Sequence, residues 1–521
     1  MMTGRLIGNV SMAALCCFIE SGCVAADAQK GDKAMPTVVS YEDFGAKGDG
    51  KTDDSEAIAK AHEYANQHGL PVRADDQATY YIGGGDRTAV IKTDTDFGLA
   101  KFIIDDTAVE NIKAAIFSVP SAHAPINLEG IASLRRNQPQ IDARLPGRCV
   151  VRVTNSGVKH FIRKGRNPNK GSAQTDIFLV DADGTVAAET PIQWDFAALT
   201  EVIAYPVDEE TLTIKGGRFT TIANAAESKY TYYARGISIR RSNVVVDGLE
   251  HRVTGEGEHG APYGGFINIG NCADVTVRNT LVTGRKTYTT IGRANLPVSM
   301  GSYDISLNRA LNITLDNVRQ TNDINDRRYW GIMGTNFCKN LVLDGCALSR
   351  FDAHQGVYNA TIRDSTIGHM GILAIGGGTL LVENTTVKTR HFIGFRSDYG
   401  STWRGEVIIR DSVFAPPNPK DAVLFSGNNT GDHDFGYPCA MPERIILDGL
   451  HVDDGKAPAD YKGLAIFANF NPKFKAGQNQ PYPYTPTREI VLKTITTASG
   501  KPLRVSDNAP MFKDVVVKKS R

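Results

Sequence analysis

Residues 41–54 of the chain read YEDFGAKGDGKTDD, a segment in which glycine and aspartate dominate. Residues 38–40, just before it, have the apolar pattern of a short strand, and residues 55–67, just after it, have the periodicity of an amphipathic helix. Gly69 is placed to end that helix, and Thr79–Ile82 predicts a returning strand. This order of strand, acidic turn, helix and strand indicates one folding unit at the start of a β domain.

Positions 43–54 match a D-F-G-A-x-G-D-G-x-x-D-D pattern, and in this the chain resembles the pectate-lyase-like superfamily of right-handed parallel β-helices. The resemblance implies that the segment and its helix cap the N-terminal end of a β-helix. It also implies a link to polysaccharide lyases, C5-epimerases and polygalacturonase-like hydrolases. The aspartates and glycines of the segment are interpreted as structural, so the segment names a fold and leaves the reaction open.

A short phrase recurs later in the chain: an apolar-rich strand, one polar residue, and then Asp, Asn or Gly. The polar residue, here called the marker, occupies positions 247, 278, 316, 344, 363, 383, 410 and 448. Successive markers are therefore 31, 38, 28, 19, 20, 27 and 38 residues apart. A shortest step near 20 with variable extensions is typical of a β-solenoid that has one coil per repeat and insertions at its corners.

The predicted fold is therefore all-β: a right-handed parallel β-helix with an N-terminal capping helix and an antiparallel β insertion. Residues 37–85 are predicted to form the cap and first coils, and residues 236–515 the β-helix core with its cleft. Residues 86–235 are predicted to form an irregular or antiparallel insertion, or broad early coils. We interpret one basic stretch of this region as a solvated loop, namely Lys159, Arg163, Lys164, Arg166 and Lys170.

The first 28 residues have the pattern of a bacterial secretory signal peptide, with Arg5, a mostly apolar run over residues 6–19, and small residues up to Ala28. A secreted or periplasmic protein is predicted, and an outer-membrane lipoprotein is the less favoured alternative. No later run of about 18 apolar residues occurs, so no membrane span is predicted. With 58 Lys+Arg against 57 Asp+Glu, the chain offers no general field for nucleic acid.

Stacked coils bring residues that are distant in sequence to one outer face, and the shortest steps, between markers 344 and 383, predict the floor of a cleft. Asp352 and His354 lie two positions apart on one predicted strand, so they point to the same side. A carboxylate beside an imidazole raises the basicity of the histidine and fixes its orientation. This pair is the predicted centre of proton transfer, and the rest of the predicted catalytic set is Asp326, His369 and Arg396.

Further polar and aromatic residues around this floor are predicted to bind substrate. Arginine can hold carboxylates or sulfates in bidentate fashion, and aromatic rings can stack on sugar faces. The predicted substrate-binding residues are Asp323, Arg327, Arg328, Tyr329, Trp330, His391, Asp398 and Tyr399. The predicted partner is a polysaccharide or oligosaccharide. No cofactor and no metal ligand is predicted, although aspartate-rich corners leave Ca²⁺ open.

Two enzyme families resemble this region. Residues 351–355, FDAHQ, are similar to the F-D-P-H-E strand of alginate C5-epimerases, with Ala353 in place of the proline and Gln355 in place of the glutamate. Polygalacturonase-like hydrolases carry N-T-D, D-D, G-H-G and R-I-K on successive coils. A similar order is found here in Asn322-Asp323, Asp352, Gly368-His369 and Arg396.

Three functions stay open on the sequence alone. The favoured hypothesis is a polysaccharide lyase or epimerase, in which an arginine neutralises a uronate carboxylate and His354 or Tyr329 removes the C5 proton. The alternative is an inverting glycoside hydrolase with Asp326 or Asp323 paired with Asp352, which requires carboxyl groups about 6.5–9.5 Å apart. The second alternative is an adhesin that binds a glycan without turnover.

Overall fold

The computed structural model describes residues 37–520, so the predicted signal peptide, residues 1–28, lies outside the described residues. Within this part of the chain no helix is long and apolar enough to cross a membrane. Most strands join in parallel into one continuous sheet that winds through successive coils. The strands of this sheet are Asp49–Asp53, Val72–Arg73, Thr79–Ile82, Ala89–Val90, Thr95–Asp105, Phe117–Pro120, Leu212–Ile222, Ile237–Arg240, Val244–Asp247, Glu250–Thr254, Gly264–Arg278, Leu281–Val282, Tyr303–Asp316, Arg319–Gln320, Met333–Asp344, Ala347–Arg363, Thr366–Ala374, Gly376–Glu383, Thr386–Val387, His391–Phe395, Trp403–Arg410, Val413–Phe414, Val423–Ser426, Arg444–Asp448, His451–Val452, Ala465–Phe467, Glu489–Lys493, Thr496–Thr497 and Val516–Ser520.

The helix of the opening segment packs against the acidic turn and against the strands Val72–Arg73 and Ala89–Val90. The helix Ser55–His68 buries one face, formed by Ala57, Ile58, Ala61, His62 and Ala65. Gly69 ends it in the left-handed region, with φ 65°. Asp54 occupies the N-cap position, but its carboxylate accepts hydrogen bonds from the backbone N–H groups of Lys47 and Gly48 at 2.7 and 3.1 Å. The aspartate therefore fastens the glycine-rich turn and leaves the helix without a side-chain cap.

The eight markers lie side by side in one stack of strands, here called stack I. Each marker pairs in register with the next, from Asp247 with Arg278 through to Arg410 with Asp448. The stack also continues past the predicted repeats, through Lys215 to Asp96 on one side and through Lys493 to Ser520 on the other. The spacing of the phrase in the sequence therefore equals the length of one coil at every step.

The markers of stack I form a column of charges whose sign changes at most steps. Reading along the stack, the column is Asp247, Arg278, Asp316, Asp344, Arg363, Glu383, Arg410, Asp448 and Lys493. Neighbouring coils form ion pairs, with nitrogen–oxygen distances of 2.9 Å for Arg278–Asp247, 2.6 Å for Arg363–Asp344 and 2.7 Å for Arg410–Glu383. These side chains are partly exposed, so each pair contributes about 0–1 kcal/mol.

The residue after each marker turns the chain into the next strand through a positive φ angle. These residues have φ between 43° and 73°, and they are Gly248, Asn279, Asn317, Gly345, Asp364, Asn384, Asp411 and Gly449. Glycine adopts this conformation without steric cost, and asparagine and aspartate reach it more readily than other residues. The corner geometry therefore explains why Asp, Asn or Gly follows every marker.

Two further stacks complete each coil. Stack II follows the corner and includes Glu250–Thr254, Leu281–Val282 and Arg319–Gln320. Stack III includes residues 267–270, 305–308 and 333–336. The buried aliphatic and aromatic side chains of all three stacks form one continuous core inside the coils.

Residues 121–211 leave the coils and form a separate antiparallel sheet with its own buried cluster. Its strands lie in the spatial order Ile126–Asn127, Glu201–Pro206, Cys149–His160 and Ser172–Val180. Thr95–Asp105, which precedes the insertion, and Leu212–Ile222, which directly follows it, pair in parallel as consecutive coils. The predicted fold class, a parallel β-helix with a capping helix and an antiparallel insertion, is confirmed. Two small sheets remain, Thr289–Ile291 with Pro297–Ser299 and Cys439–Ala440 with Tyr484–Thr485.

Candidate active site

Asp352 is held between two arginines and has no exposed surface. Its Oδ1 atom accepts a 2.9 Å hydrogen bond from Nη1 of Arg396, and its Oδ2 atom lies 2.7 Å from Nη2 of Arg350. Arg350 precedes it by two positions on the same strand, whereas Arg396 follows a strand two coils further on. Both carboxylate oxygens are thus occupied by guanidinium groups, which suits a buried counter-ion better than a proton acceptor.

His354 contacts Tyr399 and Asn336. Its Nδ1 atom lies 2.9 Å from Oδ1 of Asn336, and its Nε2 atom lies 3.3 Å from the Tyr399 hydroxyl. Because an amide oxygen can only accept, Nδ1 carries the proton and Nε2 accepts the hydroxyl hydrogen. Burial, together with the charge of Arg396, lowers the pKa of His354 to about 3, so the imidazole is neutral. A His354–Tyr399 pair stands where the sequence predicts an Asp352–His354 pair.

Two guanidinium groups flank the ring of Tyr399. Those of Arg163 and Arg396 each lie 5.6 Å from the ring centroid. Asp398 joins the two arginines, with Oδ2 2.8 Å from Nε of Arg163 and 2.9 Å from Nη2 of Arg396. Burial raises the pKa of Asp398, but the two arginines outweigh it and hold that pKa below its usual value. Burial raises the pKa of Tyr399, so its phenol is protonated at neutral pH.

Arg163 belongs to the basic stretch of the insertion, and this part of the stretch is docked on the coils. The backbone N–H of Lys164 donates to the Asp398 carbonyl at 3.1 Å, and the Lys164 ammonium lies 5.3 Å from the ring centroid of Phe435. Phe161, with φ 53°, packs its ring edge against Tyr399 at 5.9 Å. The interpretation of this stretch as a solvated loop is therefore wrong for Arg163 and Lys164.

An open cleft of about 990 Å³, its mouth included, lies against Arg163 and Asp398. Its other lining residues include Lys164, Arg166, the exposed ring of Tyr230, and Trp330. The hairpin Thr289–Ile291 and Pro297–Ser299 supplies the remaining wall. This hairpin contacts the insertion, because the N–H of Ala294 donates to the Arg166 carbonyl at 3.2 Å. The cleft is therefore built jointly by the insertion and by loops of the coils.

Most predicted residues of the loop at 321–330 form a group of their own. Hydrogen bonds from Arg328 lower the pKa of Asp326 to about 2, and the two side chains are 2.6 Å apart. The backbone N–H of His369 donates to the Ile324 carbonyl, and burial lowers the pKa of the His369 ring. Among the described residues, no hydrogen bond or ion pair joins Asp352 or His354 to this group, which comprises Asp323, Asp326, Arg327, Arg328, Tyr329 and His369.

Trp330 and His391 have different surroundings. The Arg350 guanidinium lies 5.3 Å from the Trp330 ring centroid, so Trp330 links the loop to the buried arginines. His391 stands apart: its ring nitrogens have no partner within residues 37–520, and burial lowers its pKa to about 4. In the same part of the chain, no three His, Cys, Asp or Glu side chains are placed to hold a metal ion.

Four residues of this site carry no functional assignment from the sequence: Arg163, Tyr303, Asn336 and Arg350. The sequence could have predicted the role of Arg350, since it lies two positions before Asp352 and therefore shares its face of the strand. Burial raises the pKa of Tyr303, whose hydroxyl is near the charges of Arg350 and Asp352. Asn336 pairs in register with Gln355 on the next coil, a relation that appears only once the coils are stacked.

Solved structures with the same architecture decide the hand of the coils. The tailspike of Pseudomonas phage phi297 is 14% identical, with 93% of this chain and 84% of that chain covered and a TM-score of 0.55. The tailspike of Acinetobacter baumannii bacteriophage AP22, solved in complex with a capsular saccharide, is 10% identical over 92% of this chain and 79% of that chain, with a TM-score of 0.51. The fold is a right-handed parallel β-helix. No protein-family model and no curated protein matches the sequence.

Proposed function

We propose that this β-helix is a secreted or periplasmic carbohydrate-active enzyme that acts on an acidic polysaccharide by β-elimination-type chemistry. The observation that carries the proposal is the hydrogen-bonded pair of Tyr399 and His354, flanked by the guanidinium groups of Arg163 and Arg396. A tailspike of the same fold was solved with a capsular saccharide, which supports a glycan ligand.

The charge of the cleft supports an acidic glycan. Arg163, Lys164 and Arg166 line one wall, and the carboxylate among the lining residues, Asp398, is already shared by two arginines. Guanidinium groups bind carboxylates through paired hydrogen bonds, and such a contact withdraws charge from a uronate and acidifies its C5 proton. A uronate carboxylate would replace Asp398 as the partner of Arg163 and draw that side chain away from the Tyr399 ring.

Neither His354 nor the buried Tyr399 lines the cleft, so elimination requires Arg163 to move off the Tyr399 ring and expose the pair. The protonation states of the pair then fit the reaction. Neutral His354 takes the C5 proton on Nε2 while Tyr399 gives its hydroxyl proton to the leaving oxygen at C4. The C5–H and C4–O bonds break, and their electrons form the C4=C5 double bond and the lone pair of the leaving oxygen. Because His354 is a weak base in this burial, its new proton then returns to the Tyr399 oxygen, which restores the pair.

The same contacts weigh against hydrolysis by paired carboxylates. Inverting hydrolysis needs one carboxylic acid with a raised pKa and one free carboxylate acting on water. Hydrogen bonds from Arg328 lower the pKa of Asp326 to about 2, so Asp326 is ionised and cannot serve as the acid. The two oxygens of Asp352 lie 2.7 Å from Arg350 and 2.9 Å from Arg396, so Asp352 is not a free carboxylate.

The test combines a panel of acidic and neutral polysaccharides with mass spectrometry of the products. Elimination gives an unsaturated uronate end, hydrolysis adds water, and epimerisation leaves the chain length unchanged. We expect unsaturated ends from a uronate polymer, and a loss of rate of about 10²–10⁴ in Tyr399→Phe. Tyr64→Phe makes the same change on the capping helix, outside the pair and the cleft, and should keep most of the activity. Products that carry added water, or an active Tyr399→Phe, would show the proposal to be wrong.

A further inference from the structure

A second cavity lies between the insertion and the coils, apart from the cleft. It has about 660 Å³ of space, its mouth included. Aromatic side chains dominate its lining, namely Phe161, Trp194, Phe337, Tyr358 and Tyr437. Two glycines of the lining have no room for a side chain. A Cβ atom on Gly356 would lie 3.2 Å from the Phe161 ring, and one on Gly377 would lie 2.7 Å from the Arg404 carbonyl oxygen.

Two of the three charged residues that line this cavity neutralise each other. The Lys339 ammonium lies 2.9 Å from Oδ1 of Asp176, and both side chains are almost fully buried. Lys339 also donates to the Pro191 carbonyl at 2.6 Å, and the N–H of Gln193 donates to Oδ2 of Asp176 at 2.6 Å. This pair joins the insertion to a strand of the β-helix and leaves no net charge behind.

Arg404 is the third charged residue, and its guanidinium group makes no hydrogen bond or ion pair within residues 37–520, although its backbone pairs with Gly377. Its guanidinium lies 5.8 Å from the Trp194 ring centroid. Burial and the nearby charge of Arg136 lower its pKa by more than the nearby carboxylates of Glu443 and Asp195 raise it, so the surroundings of Arg404 oppose its charge. An anion bound there would relieve both effects. The cavity therefore has one positive charge beside a wall of aromatic rings.

Acceptors for hydroxyl groups complete the lining. The side-chain amide N–H of Gln355 donates to the Ser172 hydroxyl at 2.9 Å, and that of Gln193 donates to the Pro191 carbonyl at 3.1 Å. Neither amide oxygen has a protein partner in the described part of the chain, so both can accept from a ligand. A pyranose ring offers C–H faces to aromatic rings and hydroxyl groups to these oxygens, and a carboxylate on it would reach a cation.

We infer that this cavity is a binding site for a sugar residue that carries a carboxylate, separate from the catalytic cleft. Trp194 supplies the stacking face and Arg404 the partner of the carboxylate. This inference goes beyond the proposed function. It requires only that a sugar binds in this cavity, and it would hold whether or not the cleft catalyses a reaction. A glycan held at both places would be anchored on the insertion while the cleft acts on another of its residues.

The three tryptophans of the chain allow each place to be observed separately. Trp194 lines this cavity, Trp330 lines the cleft, and Trp403 is fully buried in the core. In Trp330→Phe the responsive fluorescence comes from Trp194, and in Trp194→Phe it comes from Trp330. The probes are trisaccharides of galacturonate, mannuronate and glucuronate, with maltotriose as the neutral control.

We expect at least one uronate trisaccharide to change Trp194 emission saturably in Trp330→Phe, and maltotriose to bind about tenfold more weakly or not at all. Adding Arg404→Gln should remove that preference, whereas Arg148→Gln, which changes an arginine of the insertion that pairs with Glu189 outside the lining, should preserve it. If Trp194 emission responds to no uronate, or if Arg404→Gln binds like its parent, the inference is wrong. A response of Trp330 with unsaturated products in the same experiment would leave the proposed function standing.

Discussion

Replacing Asp352 with asparagine leaves the buried Arg350 without a counter-ion and leaves Arg396 with Asp398 alone. Asp352 is fully buried, and its two ion pairs measure 2.7 and 2.9 Å. Removing one partner of a buried ion pair costs about 3–5 kcal/mol. Unfolding entropy of about 2 cal/mol/K per residue gives, for about 480 residues, a fall of about 1 °C in melting temperature per kcal/mol. We therefore expect Asp352→Asn to melt about 4 °C lower, as measured by circular dichroism.

Asp344→Asn is the matched control, because it removes an aspartate that pairs with Arg363 at 2.6 Å on the surface of stack I. The two side chains of that pair are 28% and 48% exposed, so its loss should cost no more than about 1 kcal/mol, or about 1 °C. Urea unfolding of both variants checks that the difference is one of free energy. Equal shifts in the two variants would refute the reasoning, because they would mean that burial adds nothing to the role of Asp352.

Two further predictions concern the pH dependence of stability and the corners of the coils. Burial lowers the pKa of His62 to about 3 and of His160 to about 4. Between pH 6.5 and 5 the unfolded chain therefore takes up protons that the folded chain does not. The free energy of unfolding should fall by about 2 kcal/mol per histidine over that range. Urea unfolding at both pH values should show a smaller fall in His62→Gln, and an unchanged fall would contradict the assignment. Gly248 has φ 71° and no heavy atom within 4 Å of the position that a Cβ atom would take, so Gly248→Ala should cost about 1 kcal/mol through its backbone alone. Gly257→Ala, equally open but without a positive φ, should cost less, and equal costs would refute the corner argument.

The fold could be predicted from the sequence because each coil repeats the same short pattern of residues. The residue after every marker must tolerate a positive φ, so Asp, Asn or Gly recurs there, and the marker itself recurs because each coil stacks on the last. The capping segment is equally local, since Asp54 bonds to backbone groups only six and seven residues away. Such features depend on short stretches of chain, which a sequence displays directly.

The site was readable only in part, because its contacts join residues that are far apart in the chain. Asp352, His354, Arg396, Asp398 and Tyr399 do lie together, as their coils predict. Which of them pair was not predictable, since that depends on how the coils stack, and Arg163 reaches Asp398 from the insertion, more than 200 positions away. The loop at 321–330 was expected at the same place on grounds of sequence order, but Asp326 and Arg328 pair with each other within the loop.

The alternating charges of stack I also restrict how the number of coils can change. From Asp344 to Lys493 the sign reverses at each step. Loss of a single coil would bring Asp344 against Glu383, or Arg363 against Arg410, and like charges directly opposite each other destabilise a sheet by about 0.2–1 kcal/mol. Loss or duplication of two coils together preserves the pattern. A gene for this stretch can therefore lengthen or shorten most readily in units of two coils. The column of charges thus favours an even change in the number of coils, in addition to fixing how neighbouring strands align.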